Sequence, residues 1–157
     1  MTGPSFLLLI SRDNLLGAEA APNAGKVFRL LARLTRSGVH LLLTAPEPDH
    51  WFPTRGRVDQ ALQDQGRLSV RIHEAGGDLD GVYYVPRSLF TQDHNREQAL
   101  RDILTRYGTP QGEVLLISAS APFLKAAERL GIETRELGED NTGSEQLEAL
   151  LTELMDT

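Results

Sequence analysis

The chain contains no cysteine. That absence excludes disulfide bonds, thiolate nucleophiles and cysteine-ligated zinc together. Long apolar runs are missing as well. The run Phe6-Leu7-Leu8-Leu9-Ile10 holds five apolar residues, whereas a membrane-spanning helix needs about 20. It also follows a stretch with no basic residue and no small-residue cleavage site, unlike a secretory signal. A cytoplasmic protein is the expectation. Basic residues are in deficit, with a formal net charge of −6. That argues against a general binder of nucleic acid or anionic membrane. Lysine is scarce: fourteen of the sixteen basic residues are arginine. Arginine forks suit anions, but a compositional bias accounts for the excess more simply.

What is present reads as a globular domain. A length of 157 residues, 40% hydrophobic and 24% charged, is enough for one domain spanning residues 1–157 with a full core. Strand-like and helix-like segments alternate. Phe6–Ile10 and Val114–Ile117 are continuous apolar runs, the pattern of strands buried on both faces. Val39–Thr44 and Gly81–Val85, the latter stopped by Pro86, read as two more strands, and Glu133–Leu137 as a weaker edge strand. Val27, Leu30, Leu31 and Leu34 sit at helical spacing before Gly38. Leu100, Ile103 and Leu104 mark a second helix ending near Gly108, and Phe123, Leu124, Ala127 and Leu130 a third ending at Gly131. Leu147, Leu150, Leu151 and Leu154 mark a last one, with Thr142 and Glu145 spaced as a capping box. Leu68–His73 alternates like a strand, yet Val58, Ala61, Leu62 and Ile72 suit a longer helix. The alternation predicts an α/β fold: a three-layer, Rossmann-like domain around a mostly parallel sheet of about five strands.

In such folds ligands bind beyond the carboxyl ends of the strands. The predicted tips are Ser11-Arg12-Asp13-Asn14, Thr44-Ala45-Pro46-Glu47, Pro86-Arg87-Ser88 and Ser118-Ala119-Ser120-Ala121. Hydroxyls dominate, and these with backbone N–H groups can hold a phosphate. Only Asp13 and Glu47 offer carboxylates, a poor set for Mg²⁺.

The order of these segments resembles the haloacid dehalogenase superfamily, in its capless branch of heptose-bisphosphate and histidinol-phosphate phosphatases. FLLLISRDNLL is similar to that branch's first motif, an apolar strand running into Asp-Arg-Asp-Gly, and HLLLTAPEPD to its second, a strand ending in Thr-Asn-Gln. Asp78-Leu79-Asp80-Gly81-Val82-Tyr83-Tyr84-Val85-Pro86 resembles the branch's Leu-Asp-Gly-Ile-Tyr-Tyr-Cys-Pro segment, the most specific match. LLISASAPFLKAAERLGIET resembles the fourth motif. The likeness covers roughly residues 5–137, implies no cap domain and favours a helix over Leu68–His73.

Carried over by position, the family's nucleophilic Asp falls on Ser11 and its acid/base Asp on Asp13. The phosphate-binding Thr falls on Thr44, followed by Ala45 in place of Asn. The two metal-supporting Asp residues fall on Ala119 and Phe123. The third-motif Lys has no clear counterpart; Asp93-His94-Asn95-Arg96 lies in its place, so His94 or Arg96 is the nearest basic residue. The first Cys of the branch's zinc loop corresponds to Val85. A carboxylate nucleophile works because Mg²⁺ neutralises it and the phosphoryl oxygens together, and these replacements remove that arrangement.

The resemblance thus implies a catalytically degenerate protein with a binding, scaffolding or regulatory role and no cofactor. Its partner would be a small phosphorylated ligand, held by Ser11, Asp13, Thr44, Arg96 and Ser118, or another protein. No pattern specifies an oligomeric state. The rival reading is an active or residual phosphatase of small phosphorylated metabolites, using Mg²⁺, or a hydrolase rewired through His50, His94, Glu47 or Asp49. Each residue also has a plain structural reading. Ser11 and Asp13 can cap local backbone, His94 and Arg96 can open a helix, and Asp49-His50-Trp51 and Glu139-Asp140-Asn141 can be polar loops. The last leucines can pack on the domain's own sheet rather than on a partner.

Overall fold

The structure, a computed structural model, describes residues 6–46, 55–86, 92–138 and 142–156. Five strands form one fully parallel sheet: β1 Leu7–Ser11, β2 His40–Pro46, β3 Gly81–Val85, β4 Val114–Ser118 and β5 Glu133–Glu136, in the spatial order β3-β2-β1-β4-β5. All five strands lie where the sequence predicts them, within two residues at either end. β1 and β4 form the middle of the sheet because their side chains are apolar on both faces.

Six α-helices cover the sheet among the described residues: α1 Arg12–Glu19, α2 Ala24–Arg36, α3 Arg55–Glu74, α4 Gln92–Tyr107, α5 Ala121–Arg129 and α6 Gly143–Met155. Strand alternation sorts the core into two clusters. Leu8, Ile10, Leu41, Leu43, Leu115 and Ile117 face one way, against apolar residues of α1, α2, α3 and α6. Leu7, Leu9, Leu42, Val114 and Leu116 face the other way, against α4 and α5. Each leucine buried in this way contributes about 2 kcal/mol.

The chain winds from β1 outward to β2 and β3 with its helices on the first face. It then crosses to β4 and winds outward to β5 with helices on the second face. The direction therefore reverses between β1 and β4, and the helices that follow these two strands, α1 and α5, diverge to opposite faces. A crevice opens between them.

Leu68–His73 is helical, within α3. Leu68 and Ile72 are fully buried one turn apart, and this anchoring prevails over the short alternation. Helix α1 had no counterpart in the sequence reading, because the polar run Ser11–Asn14 looks like a loop. It starts at Arg12, directly after β1, and is anchored by Leu15 and Ala18. The predicted glycine stops hold: Gly38 after α2 has φ 108° and Gly131 after α5 has φ 80°, left-handed conformations that end a helix cheaply. The leucines of α6 pack into the domain, with Leu147 and Leu151 fully buried. The capping box is not formed. Thr142 is the N-cap residue, but its backbone is itself near-helical (φ −81°, ψ −14°) and its side chain makes no capping bond.

No helix among the described residues is long and apolar enough to cross a membrane. The turn that carries α3 into β3 is tight. A Cβ on the buried Gly77 would lie 2.6 Å from Ala32 Cα, and the neighbouring Asp78 N–H donates to Thr35 Oγ1 at 3.1 Å. Gly77→Ala must therefore push α2 from the turn. The expected cost is about 2 kcal/mol in urea unfolding, with the m-value unchanged.

Candidate functional site

The crevice at the reversal is built from the tips of β1 and β4. Ser11 pairs in register with Thr44, and Ile10 pairs with Ile117, so Ser118 continues the same row on the far side of Ser11. Thr44 and Ser118 are the buried polar residues of the described chain, 3% and 2% exposed. Alternation directs this row of three hydroxyl residues to the face covered by α4 and α5.

The loop from β4 into α5 bonds to its own neighbourhood. Ser118 Oγ accepts from Ser120 N–H at 3.0 Å, and Ser120, the N-cap of α5, accepts from Phe123 N–H at 3.4 Å. Asn14 reaches across from α1, and its Oδ1 accepts from Ala119 N–H at 3.1 Å. The Ser118 carbonyl accepts from Leu137 N–H at 3.0 Å, which holds the chain leaving β5 against the same tip.

Two adjoining cavities open here. The first, about 760 Å³, is lined by Ser11, Asp13, Asn14, Ser120, Glu136 and Gly138 among others. The second, about 800 Å³, shares Asp13, Asn14 and Gly138 and runs on between α1, α2 and α6 past Asn23, Glu145 and Glu148. Asn23 donates to the Ser144 carbonyl and to Glu148 Oε1, both at 3.0 Å, fixing α6 to the start of α2. Neither lining contains a lysine or arginine among the described residues, whereas four carboxylates border the two cavities: Asp13, Glu136, Glu145 and Glu148. Arg12 is close in sequence but holds Asp13 Oδ1, with Nη2 at 3.0 Å and Nε at 3.3 Å.

The crevice thus brings Ser11, Asp13 and Ala119 together, with Thr44 and Ser118 in the adjoining row. Asp13 lies in the first turn of α1 with its side chain 60% exposed. Phe123 is elsewhere in character: it is 7% exposed and belongs to the core cluster between the sheet and α4 and α5. Arg96 is half-buried and His94 exposed, both near the start of α4, and neither lines the two cavities. Glu47, Asp49, His50, Trp51, Arg87, Ser88, Glu139, Asp140 and Asn141 lie outside the described residues. Sequence reading missed Glu136, the tip of a strand judged weak, and the bond made by Asn14, whose partner is 105 positions away.

Among the described residues, those at the positions carried over from the family do not fit magnesium. Such a site usually takes carboxylates from the protein, but Ser11, Ala119 and Phe123 supply none, and Asp13 is held by Arg12. Among the described residues no three His, Asp or Glu side chains are grouped as a metal would need. Serine as nucleophile needs a positioned base, and among the described residues no histidine bonds to Ser11; His40 instead contacts Asp80 Oδ2 at 3.3 Å.

That histidine belongs to a polar cluster outside the crevice. Tyr107 donates to Asp80 Oδ2 at 2.9 Å, and nearby Tyr83 donates to Asp102 Oδ2 at 2.6 Å beneath the Arg106 guanidinium. Burial, then the hydrogen bond and charge of Asp102, push the Tyr83 hydroxyl up to about 12. Burial and Asp80 do the same for Tyr107, also to about 12. The Tyr83 bond holds the Asp102 carboxyl below its ordinary value. These contacts fasten α4 to β3 and to the loop before it.

No protein-family model matches the sequence, and no curated protein matches it. Solved structures do. D,D-heptose 1,7-bisphosphate phosphatase from B. bronchiseptica, complexed with magnesium and phosphate, superposes with a TM-score of 0.73 at 19% identity, over 96% of this chain and 98% of that one. The fold is that of the heptose-bisphosphate phosphatases. The corresponding enzyme from Burkholderia thailandensis gives a TM-score of 0.56 at 14% identity, covering 97% and 99%. An uncharacterised protein from Corynebacterium glutamicum gives 0.60 at 13% identity, covering 94% and 96%. The three-layer α/β frame anticipated from the sequence is therefore present, as a parallel sheet with the fold of these phosphatases.

Two expectations follow. Phe123→Asp restores a carboxylate in sequence but removes a core aromatic and buries a charge, so stability falls by about 3 kcal/mol or more, read by urea unfolding. The tyrosines set a limit at high pH. An unfolded tyrosine ionises near 10, whereas Tyr83 and Tyr107 stay protonated in the fold up to about 12. Their contribution is complete below pH 10 and is lost as the pH rises from 10 towards 12. Unfolding free energy measured at pH 9 and pH 11 should fall less in the Tyr83→Phe/Tyr107→Phe double variant than in the parent chain.

Proposed function

We propose that this chain is a haloacid dehalogenase-like protein without phosphoryl-transfer activity, which acts by binding a small ligand or a protein partner in the crevice between β1 and β4. The observation that carries this reading is the position of Phe123. The residue aligned with a metal-supporting acid is not a neutral side chain left in an open site but part of the core. Ser11 at the nucleophile position and Ala119 at the other acidic position supply neither an activated carboxylate nor an acid to hold a metal beside it. Phosphoryl transfer in this family rests on both. The retained frame, covering nearly the whole of each phosphatase chain, supports a role that uses the shape of the crevice rather than its former chemistry.

A second reading is a residual phosphatase. One observation favours it: a structural neighbour is complexed with magnesium and phosphate, and Asp13 stands on the crevice wall. The two readings separate in a magnesium-dependent phosphatase assay on the purified full chain, with sugar phosphates and a generic aryl phosphate. The expected result is no turnover above background, with Asp13→Ala indistinguishable from the parent. Turnover that Asp13→Ala abolishes would establish the residual enzyme instead.

A further inference from the structure

Helix α2 buries its apolar residues Val27, Phe28, Leu31 and Leu34 in the core and turns Lys26, Arg29, Arg33 and Arg36 to solvent. Their spacing of i, i+3, i+7, i+10 puts the four cations on one line about 15 Å long. No acid lies between Ala24 and Arg36, in a chain whose formal net charge is −6. Lys26–Arg29, Arg29–Arg33 and Arg33–Arg36 are therefore like-charge pairs one helical turn apart, a mildly destabilising arrangement. Local structure accounts for part of it. Arg33 and Arg36 lie in the last turn, where the helix dipole favours cations, and Arg36 Nη1 reaches the Ala75 and Gly76 carbonyls at 3.4 Å. Lys26 and Arg29 have no such account. Lys26 stands in the first turn, the end that disfavours a cation. Among the described residues, Lys26, Arg29 and Arg33 have no ion-pair or side-chain hydrogen-bond partner.

We infer that the solvent face of α2 is a docking surface for an acidic helical segment of a partner protein. It is separate from the crevice, since none of the four cations lines either cavity, and it does not depend on whether the crevice is catalytic. The alternation of three and four residues is the repeat of one helix face. Carboxylates at the same spacing on a helix laid alongside meet the cations one by one, and three of these are arginine forks that take a carboxylate bidentately. Docking also relieves the repulsion along the stripe. Other polyanions fit less well. The apolar side of α2 is committed to the core, so the helix cannot embed in a lipid surface. The solvent face carries no aromatic residue on which a base could stack. A polyanion longer than the stripe meets the field of an acidic protein, whereas a short acidic helix meets the stripe alone.

The test titrates the ¹⁵N-labelled full-length protein with an alanine-based peptide of about 20 residues, long enough to be helical alone, with glutamates at the spacing of the cations. A second peptide of the same composition spreads its glutamates around the helix, and a DNA duplex and phosphatidylserine vesicles are run in parallel. The backbone amides of α2 should shift saturably with the first peptide, its affinity should fall steeply with added salt, and the second peptide should bind several-fold more weakly. Arg29→Gln/Arg33→Gln removes two cations and should weaken binding about fivefold. Arg29→Glu turns two like-charge pairs into opposite-charge pairs. It should weaken binding further while leaving stability in urea at or above that of the parent, so loss of the fold cannot account for the effect. The absence of a saturable response on α2 overturns the inference, as does unchanged binding in both variants. Equal affinity for the two peptides overturns the helical partner, and tighter binding of the duplex or the vesicles overturns the protein partner in favour of that polyanion.

Discussion

The structure depends on one topological constraint, the reversal of winding between β1 and β4. Two neighbouring parallel strands send their chains to opposite faces, so the first turns of α1 and α5 cannot pack on one another over the sheet edge. The backbone N–H groups at those turns then need partners, because an unpaired buried donor costs as much as a lost hydrogen bond or more. In a ligand-binding member of such a fold the ligand supplies them. Here Asn14, Ser118 and Ser120 do so at the turn into α5.

The same constraint explains why neutral strand tips are compatible with a stable fold. Several carboxylates gathered at one crevice repel one another unless a cation holds them together. Ser11 and Ala119 bring no such repulsion to the tips of β1 and β4. Phe123 is part of the core under α4 and α5. An aromatic side chain buried this way is worth about 2 kcal/mol by the area it removes from water. The carboxylates that remain, Asp13, Glu136, Glu145 and Glu148, lie further out along the cavity walls, and two of them have direct partners in Arg12 and Asn23.

Most of the frame was legible in the sequence because it is written in burial. Leu7–Ile10 and Val114–Ile117 can only be central strands if they are apolar at every position, and the helix stripes of α2, α5 and α6 are regular enough to identify. Helix α1 was not legible, since its first turn is made of residues that also make turns, and its anchors, Leu15 and Ala18, are too few to show a period. Leu68–His73 was ambiguous for the opposite reason: six residues fit both periods, and only the neighbouring layer decides. The site divides in the same way. Ser11, Asp13, Ala119 and Phe123 could be singled out because motif order is a linear signal. The Asn14–Ala119 bond, the contribution of Glu136 and the core position of Phe123 are products of folding, joining residues whose separation in the chain carries no pattern.

The preserved frame and the altered tips are also independent in energy. What holds the sheet together is the two-sided burial of β1, β2 and β4 and the packing of six helices, none of which requires a particular residue at a strand tip. A tip residue meets only the crevice and its immediate neighbours, so it can change at little cost to the fold provided its hydrogen bonds are replaced. That is why an identity of 19% can coexist with a superposition over 96% of the chain. It is also why the likeness carries architecture and not chemistry. The chemistry has to be read from the tips, where an amide and two hydroxyls accept from backbone N–H groups at the turn into α5.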